Sequence, residues 1–288
     1  MKMLGFVAIL FLLSSLLGLF FNNMDLSNKI VVIEVKGPIG IENNLFVKSS
    51  EENIIDDLDE AAKDDSVKGI ILEIDSNGGT PVASKEVADK IKSIGKPVVA
   101  LVKGAALSGA YWVASSSDKI VADELSLLGS VGVRGSFLQF SGFLKDHDIE
   151  YERLVAGKYK DAASPFKGLT DDEKDMLQKK LDLIHDYFIE DVKANRKLSD
   201  DEVKRIRTAE LFLGKEAKEL NLVDEFGNID VAKNITLQLA NITDAKLVKK
   251  KDKISFLEYL GKYSLEASYS LGKGIGSSLI QSDIKIES

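Results

Sequence analysis

The stretch PVVALVKGAALSGAYWVASSSD, residues 97–118, changes its pattern near the middle. The first part is rich in β-branched and apolar residues, which is typical of a buried strand. The part from Ser108 onward carries small residues and an aromatic pair, and predicts a helix that begins close against the sheet. Ser108 therefore has two interpretations: a packing residue at a tight strand–helix junction, or a nucleophile at the start of a helix. This stretch alone does not decide between them.

The alternation of strand and helix extends outward in both directions from this stretch. It predicts an α/β domain with mostly parallel strands and flanking helices. Strands are predicted over 29–40, 68–76, 97–104 and 118–124, and a further extended segment over 149–157. Helices are predicted over 52–67, 83–94, 137–147, 170–195, 198–207 and 227–240.

The composition excludes several classes of function. The chain has 288 residues and a formal net charge of -8, which disfavours a nucleic acid as partner. It has no cysteine, so disulfides, thiolate metal sites and cysteine nucleophiles are excluded. Its two histidines, His147 and His185, lie in a charged connection and in a helical pattern. A histidine-based serine triad and a histidine metal site are both disfavoured, and no metal or cofactor is expected.

The N-terminal segment predicts a membrane anchor. No charged residue occurs from Met3 to Phe21, a length close to that needed to cross a bilayer. Lys2 precedes the segment, so the N-terminus should stay in the cytoplasm and the rest of the chain outside. A cleaved signal peptide is the alternative, although the following LFFNNMD fits a cleavage site poorly. We expect an uncleaved single-pass anchor over 1–28.

The remaining chain divides into a catalytic domain and a tail. The domain is expected over 29–245. The segment 246–288 starts with a basic run and continues with apolar residues at helical spacing. Such a tail could pack on a partner subunit, lie on a membrane surface, or be flexible.

A serine nucleophile needs a base and an oxyanion site. Lysine is the alternative to histidine, because an amine acts as a base once desolvation lowers its pKa. Lys160, in GKYKDAASPF, has apolar neighbours at the end of an extended segment, and Lys158 would point to the other face of that strand. Gly78 and Gly79 follow a buried strand, where backbone N–H groups can face a ligand. An ordinary strand–helix turn is the alternative for this glycine pair.

Five motifs in one order carry a resemblance to a known family. They are DSNGG, ALSGAYWVASSSDKIVAD, LLGSVGV, GKYKDAASPF and ELFLGKEAKELNLVDEFGN. Together they resemble the short, single-domain form of the signal peptide peptidase family of the SppA type, over roughly residues 30–240. The resemblance implies a fold related to the ClpP protease and the crotonases. It also implies a serine–lysine dyad, an N-terminal membrane anchor and ring-like homo-oligomers.

The resemblance also assigns roles to residues of this chain. Ser108 matches the nucleophile, Lys160 the general base, and Ser130 the serine that orients the lysine amine. Gly79 and the N–H of Gly109 match the oxyanion donors. In such proteins the serine and the lysine can belong to adjacent protomers. Two departures affect the loops: Asn77 stands where proline is common, and Ala110 where a second glycine is usual.

The sequence thus predicts a membrane-anchored serine endopeptidase that cleaves hydrophobic peptides, such as signal-peptide remnants. One alternative is a serine–lysine protease that cuts a membrane partner, of the kind associated with stomatin-like proteins. Another is a catalytically silent oligomeric scaffold on the same fold. Acyl-CoA chemistry is a further alternative because crotonases share the fold, but an external site would meet little acyl-CoA.

Overall fold

The computed structural model describes residues 27–40 and 50–250. The predicted anchor lies outside these residues, except for its last two positions, and so does most of the predicted tail. Within the described part of the chain, no helix is both long enough and apolar enough to cross a membrane.

One mixed sheet forms the centre of the described chain. Its strands are β1 (Lys29–Lys36), β2 (Val67–Ser76), β3 (Val98–Leu107), β4 (Lys119–Ala122), β5 (Leu127–Gly129), β6 (Leu211–Leu213), β7 (Glu225–Phe226) and β8 (Lys246–Lys249). The order is β6-β5-β3-β2-β1-β8, with β4 beside β3 and β7 beside β4. Every pair is parallel except β5 with β6. The predicted mostly parallel α/β architecture is therefore confirmed.

Helices cover both faces of this sheet. They are α1 (Ser50–Lys63), α2 (Pro81–Ser93), α3 (Gly109–Ser115), α4 (Ser141–Asp146), α5 (Asp171–Arg196), α6 (Asp200–Ile206), α7 (Gly214–Glu219) and α8 (Ile229–Leu239). Val31 and Ile33 of β1 belong to a core cluster that also includes residues of α1, α2, α3 and α5, whereas Ile30 and Val32 belong to a second cluster that includes Ala232 of α8. Since successive strand residues point to opposite faces, a strand buried on both faces becomes continuously apolar.

The register of the central strands brings three chain turns to one edge. Ser76 at the end of β2 lies opposite Ala106, and Leu107 at the end of β3 lies opposite Gly129 at the end of β5. Because these strands are parallel, the residues that follow them emerge side by side. Ligands of open α/β sheets bind at this carboxyl edge.

Two predicted elements differ from the structure. Of the helix expected over 137–147, only Ser141–Asp146 is helical, and none of its residues is buried. The segment 149–157, expected to be extended, forms neither helix nor strand, and Lys160 lies in a run of turns over 158–163. Both segments lack a sheet neighbour that would stabilise regular structure, and a helix as short as α4 is marginal without packing.

The sheet also continues into the segment assigned to the tail. Residues 246–249 form β8, which pairs in parallel with β1 from Lys29↔Lys246 to Val32↔Lys249. The Lys249 side chain forms ion pairs with Glu34 and with Glu73. The start of the predicted basic run is thus an edge strand of the domain.

Candidate active site

Ser108 occupies the sharp junction between β3 and α3. Its backbone has φ 50° and ψ -126°, a conformation that costs a non-glycine residue strain. The surrounding backbone holds it there, since its N–H donates to the Gly129 carbonyl at 2.9 Å and its carbonyl accepts from the Tyr111 N–H at 2.8 Å. The hydroxyl donates to the Gly132 carbonyl over a long 3.4 Å. Ser108 is thus fixed in its backbone, while its hydroxyl is only weakly engaged.

Two glycines, Gly79 and Gly109, pack tightly beside Ser108. A Cβ at Gly109 would lie 3.2 Å from the Gly79 nitrogen and 2.1 Å from the Ser84 hydroxyl, and a Cβ at Gly79 would lie 1.9 Å from the Ile39 carbonyl oxygen. No side chain fits at either position. The N–H of Gly109 opens α3 and has no acceptor inside the helix. The Gly79 backbone thus lies directly beside Gly109, and both residues line the cavity of Ser108, where oxyanion donors are needed.

Ser130 lies directly after β5, beside the Ser108 junction. It also has a positive φ of 50°, and its N–H donates to the Glu210 carbonyl at 2.9 Å. It is half-buried, and its place at the carboxyl end of β5 follows from the pairing of Gly129 with Leu107.

A cavity of about 790 Å³ joins these residues. Ser108, Ser130, Gly79 and Gly109 all line it. One wall is apolar: the Trp112 ring stacks on Phe188 with centroids 4.4 Å apart, and its Nε1 donates to Asp191 at 2.9 Å. The full lining is Pro38, Asn77, Gly78, Gly79, Thr80, Pro81, Ser108, Gly109, Trp112, Ser130, Gly132, Val133, Arg134, Leu181, Ile184, Phe188 and Ala209.

Lys160 does not line this cavity. Its side chain is exposed, and its N–H donates to the Gly157 carbonyl at 3.2 Å within the turn. A single chain therefore assembles the predicted nucleophile, the lysine-orienting serine and the oxyanion glycines, but does not bring the predicted base to them. Lys158, which we expected on the opposite face of a strand, lies in the same run of turns and pairs with Asp172 at 2.5 Å.

The turn that carries Lys160 is held by an ion-pair cluster around Asp161. Arg153 donates to both carboxylate oxygens of Asp161, at 2.5 and 2.8 Å. Lys167 lies 3.7 Å from the same carboxylate and 2.5 Å from Glu173. The hydrogen bond from Arg153 lowers the pKa of Asp161 to about 2. The cluster connects the turn to the first turn of α5.

Neither histidine lines the cavity. His147 is exposed, with Nδ1 2.9 Å from the Phe143 carbonyl of its own helix. His185, on α5, has Nε2 2.9 Å from the Val131 carbonyl, and so joins α5 to the segment between Ser130 and Gly132. Neither this contact nor the cavity position of Arg134 was predicted from the sequence. The helical pattern around His185 held no signal for a partner 54 residues away.

No group of histidine, cysteine, aspartate or glutamate side chains that could hold a metal ion occurs in the described ranges. What the edge of the sheet offers instead is a hydroxyl, backbone N–H groups and an apolar wall. These groups are the parts of a protease site. The sequence model of the Clp protease matches residues 37–122, which include the strands β2 and β3 that precede Gly79 and Ser108. The model of Peptidase family S49 matches residues 90–243.

Individual relatives agree with the family match. A Methanocaldococcus jannaschii protein described as a candidate protease is 38% identical over 234 residues, covering 79% of this chain and 72% of that protein. An Enterococcus faecium protein described as a candidate signal peptide peptidase SppA is 31% identical over 233 residues, covering 78% and 68%. Protease 4 of Haemophilus influenzae is 32% identical over 225 residues, 75% of this chain but only 36% of that protein. The chain belongs to peptidase family S49 and is an SppA-type protease.

Proposed function

We propose that the protein is a membrane-anchored serine endopeptidase in which Ser108 is the nucleophile and Lys160 the general base. The observation that carries the proposal is the strained Ser108 at an apolar cavity, next to Gly79 and Gly109, where no side chain fits. Strained serines of this kind are concentrated at functional sites.

The proposed reaction is an acyl transfer in two stages. The Ser108 hydroxyl attacks the peptide carbonyl carbon while its proton passes to the Lys160 amine. The carbonyl oxygen becomes an oxyanion that accepts hydrogen bonds from the N–H groups of Gly79 and Gly109. The C–N bond then breaks, the lysine returns the proton to the leaving amine, and water releases the acyl group from Ser108. Ser130 would hold the amine towards the hydroxyl.

A neighbouring subunit would supply Lys160 in this proposal. A lysine amine in open water is protonated at neutral pH, so a basic lysine needs a covered site. The segment 137–166, which contains Lys160, exposes many large apolar side chains. Its apolar side chains, each at least 40% exposed, are Phe137, Leu138, Phe140, Phe143, Ile149, Tyr151, Leu154, Val155, Tyr159 and Phe166. Packing of this surface on a second copy would bury it and would exclude water from the lysine.

The substrate class follows from the wall of the cavity. Trp112, Leu181, Ile184 and Phe188 offer a peptide side chain an apolar surface. We propose hydrophobic peptides, such as signal-peptide remnants, as substrates. The uncharged segment from Met3 to Phe21 would anchor the protein in the membrane where such peptides remain.

The test is active-site labelling with a fluorophosphonate, whose phosphorus an activated serine oxygen attacks as fluoride leaves. We expect the wild-type protein to be labelled on Ser108 and the Ser108→Ala variant to remain unlabelled. Ser93→Ala is the matched control, because Ser93 lies exposed at the end of α2 and donates to the Lys90 carbonyl. Labelling that persists in Ser108→Ala would contradict the assignment, and a folded wild-type protein that is never labelled would favour the silent scaffold.

A further inference from the structure

Arg134 is the single charged residue among those that line the cavity in the described part of the chain. It follows Ser130 by four positions in the segment that leaves β5. The rest of the lining is apolar or carries neutral hydroxyl, amide or glycine groups. A charged group in such a lining determines which charged ligands the cavity accepts.

Arg134 also differs from the other arginines of the chain. The sequence has five arginines. Four of them form ion pairs: Arg153 with Asp161, Arg196 with Asp224, Arg205 with Glu210 and Arg207 with Asp186. Arg134 is exposed and forms no ion pair or hydrogen bond with any residue that the structure describes. In a chain with a net charge of -8, an arginine without an acidic partner is available to an external anion.

The position of Arg134 limits where that anion would lie. Gly132, two residues earlier, accepts the hydrogen bond of the Ser108 hydroxyl. Two residues of chain span at most about 7 Å, so the backbone of Arg134 is close to the reacting serine. An extended peptide advances about 3.3 Å per residue. The guanidinium therefore reaches substrate groups within about three residues of the bond that is cut.

We propose that Arg134 is a specificity-determining residue that binds a carboxylate of the substrate peptide. The guanidinium presents a planar fork of donors that matches a carboxylate in two parallel hydrogen bonds. The carboxylate belongs either to an Asp or Glu side chain or to the free C-terminus of a short peptide. The substrate class thereby narrows to peptides with an apolar residue for the Trp112–Phe188 wall and a carboxylate within three residues of the cut. This inference rests on the proposed function of the cavity.

The experiment uses the full-length protein in detergent and one apolar peptide in matched forms. Glu is placed in turn at each of the three positions on either side of the cut, with Gln at the same position as reference. A second pair compares a free C-terminal acid with its amide. We expect kcat/KM to be about tenfold higher for the preferred acid than for its neutral counterpart, the size expected of a charge-assisted hydrogen bond. The Glu series and the C-terminal pair separate the two sources of carboxylate.

The variants locate the effect on Arg134. Arg134→Gln should cleave the acid and its neutral counterpart with equal kcat/KM, and Arg134→Glu should favour Lys over Glu at the same position. Arg207→Gln, an arginine paired on the surface outside the cavity, should retain the wild-type preference. A preference for the acid that survives in Arg134→Gln, or a wild-type enzyme that does not distinguish acid from amide and Glu from Gln, overturns the inference.

A binding measurement separates this inference from the proposed function. Fluorescence anisotropy of the labelled acid and neutral peptides is measured on Ser108→Ala, with and without Arg134→Gln. If the acid binds about tenfold more tightly and only when Arg134 is present, Arg134 is a carboxylate-binding residue even if the wild-type protein cuts neither peptide. Equal binding of both peptides, together with normal cleavage, contradicts the carboxylate-binding role of Arg134. That outcome leaves the assignment of Ser108 as the nucleophile unaffected.

Discussion

At the scale of single residues, Ser108 and Ser130 share an uncommon feature. Both have φ near 50°, and both follow the last residue of a strand. The sequence could indicate Ser108 through its small neighbours, and the resemblance could indicate Ser130. Neither source could reveal the backbone strain, because it arises from hydrogen bonds with Gly129 and Glu210, which are distant in sequence. Backbone conformations of this kind depend on tertiary contacts and not on local propensity.

Asp161 gives a prediction at this scale. Asp161→Asn removes the carboxylate that accepts two hydrogen bonds from Arg153. The turn that carries Lys160 should then lose its fixed position. We expect kcat to fall about tenfold with little change in KM, since a small displacement of a catalytic group is costly. The control is Asp172→Asn, which removes an exposed pair with Lys158 and should leave kcat unchanged. Equal kcat in both variants would show that Asp161 does not position the turn.

The pH dependence of this ion pair has a defined sign. The folded pKa of Asp161 is about 2, below the value near 3.9 of an unfolded aspartate. Its contribution to stability is therefore complete above about pH 4 and is lost as the pH falls towards 2. Thermal unfolding followed between pH 2 and 5 should show a smaller decline for Asp161→Asn than for the wild type. An identical decline would mean that this carboxylate does not stabilise the fold.

At the scale of elements, local patterns predicted the regular core well. The helix expected over 170–195 is α5, which begins after a capping box of Thr170 and Glu173. The strands β2 and β3 beside the site were also predicted, because residues buried on both faces give continuous apolar runs, whereas the three-residue strand β5 before Ser130 was not. The region 131–170 was predicted least well. Its aromatic and aliphatic residues have the apolar spacing that is typical of packed helices and strands. They are nevertheless exposed, and no described part of the chain covers them.

The site itself was also predictable only in part, because it combines residues from distant parts of the chain. Strand ends that meet at one edge of a parallel sheet can be inferred from the strand order, and Ser108, Gly79 and Ser130 do meet there. Much of the apolar wall comes from Leu181, Ile184 and Phe188 of α5, more than 50 residues beyond Ser130, and no local pattern assigns a helix face to a cavity. Arg134 was not predicted as a residue of the site, because a single exposed arginine has no sequence signature.

At the scale of the whole molecule, the anchor predicts a topology that can be measured. A protease added to intact cells should digest the region after residue 28, whereas a tag placed before Lys2 should stay protected. The physical reason is the positive flank, which remains on the cytoplasmic side. Disruption of the membrane should expose both, which verifies that the tag is cleavable. Protection of the catalytic domain in intact cells would reverse the proposed orientation.

The two residues of the proposed dyad lie apart in one chain: Ser108 lies in a formed cavity, while Lys160 lies exposed in a segment rich in exposed apolar side chains. If the dyad forms between subunits, association creates the active site, and activity follows mass action. Single substitutions of Ser108 or Lys160 to alanine should each abolish peptidase activity. Lys158→Ala should remain active, because Lys158 pairs with Asp172 on the surface.

The most direct measurement mixes Ser108→Ala subunits with Lys160→Ala subunits, each carrying a different tag, and assays the assemblies that both tags capture. We expect recovered activity, since about a quarter of the interfaces formed by random mixing pair an intact serine with an intact lysine. Subunits with both substitutions, mixed with Ser108→Ala subunits, provide the inactive control. Mixed assemblies that form and show no peptidase activity would contradict a dyad shared between subunits.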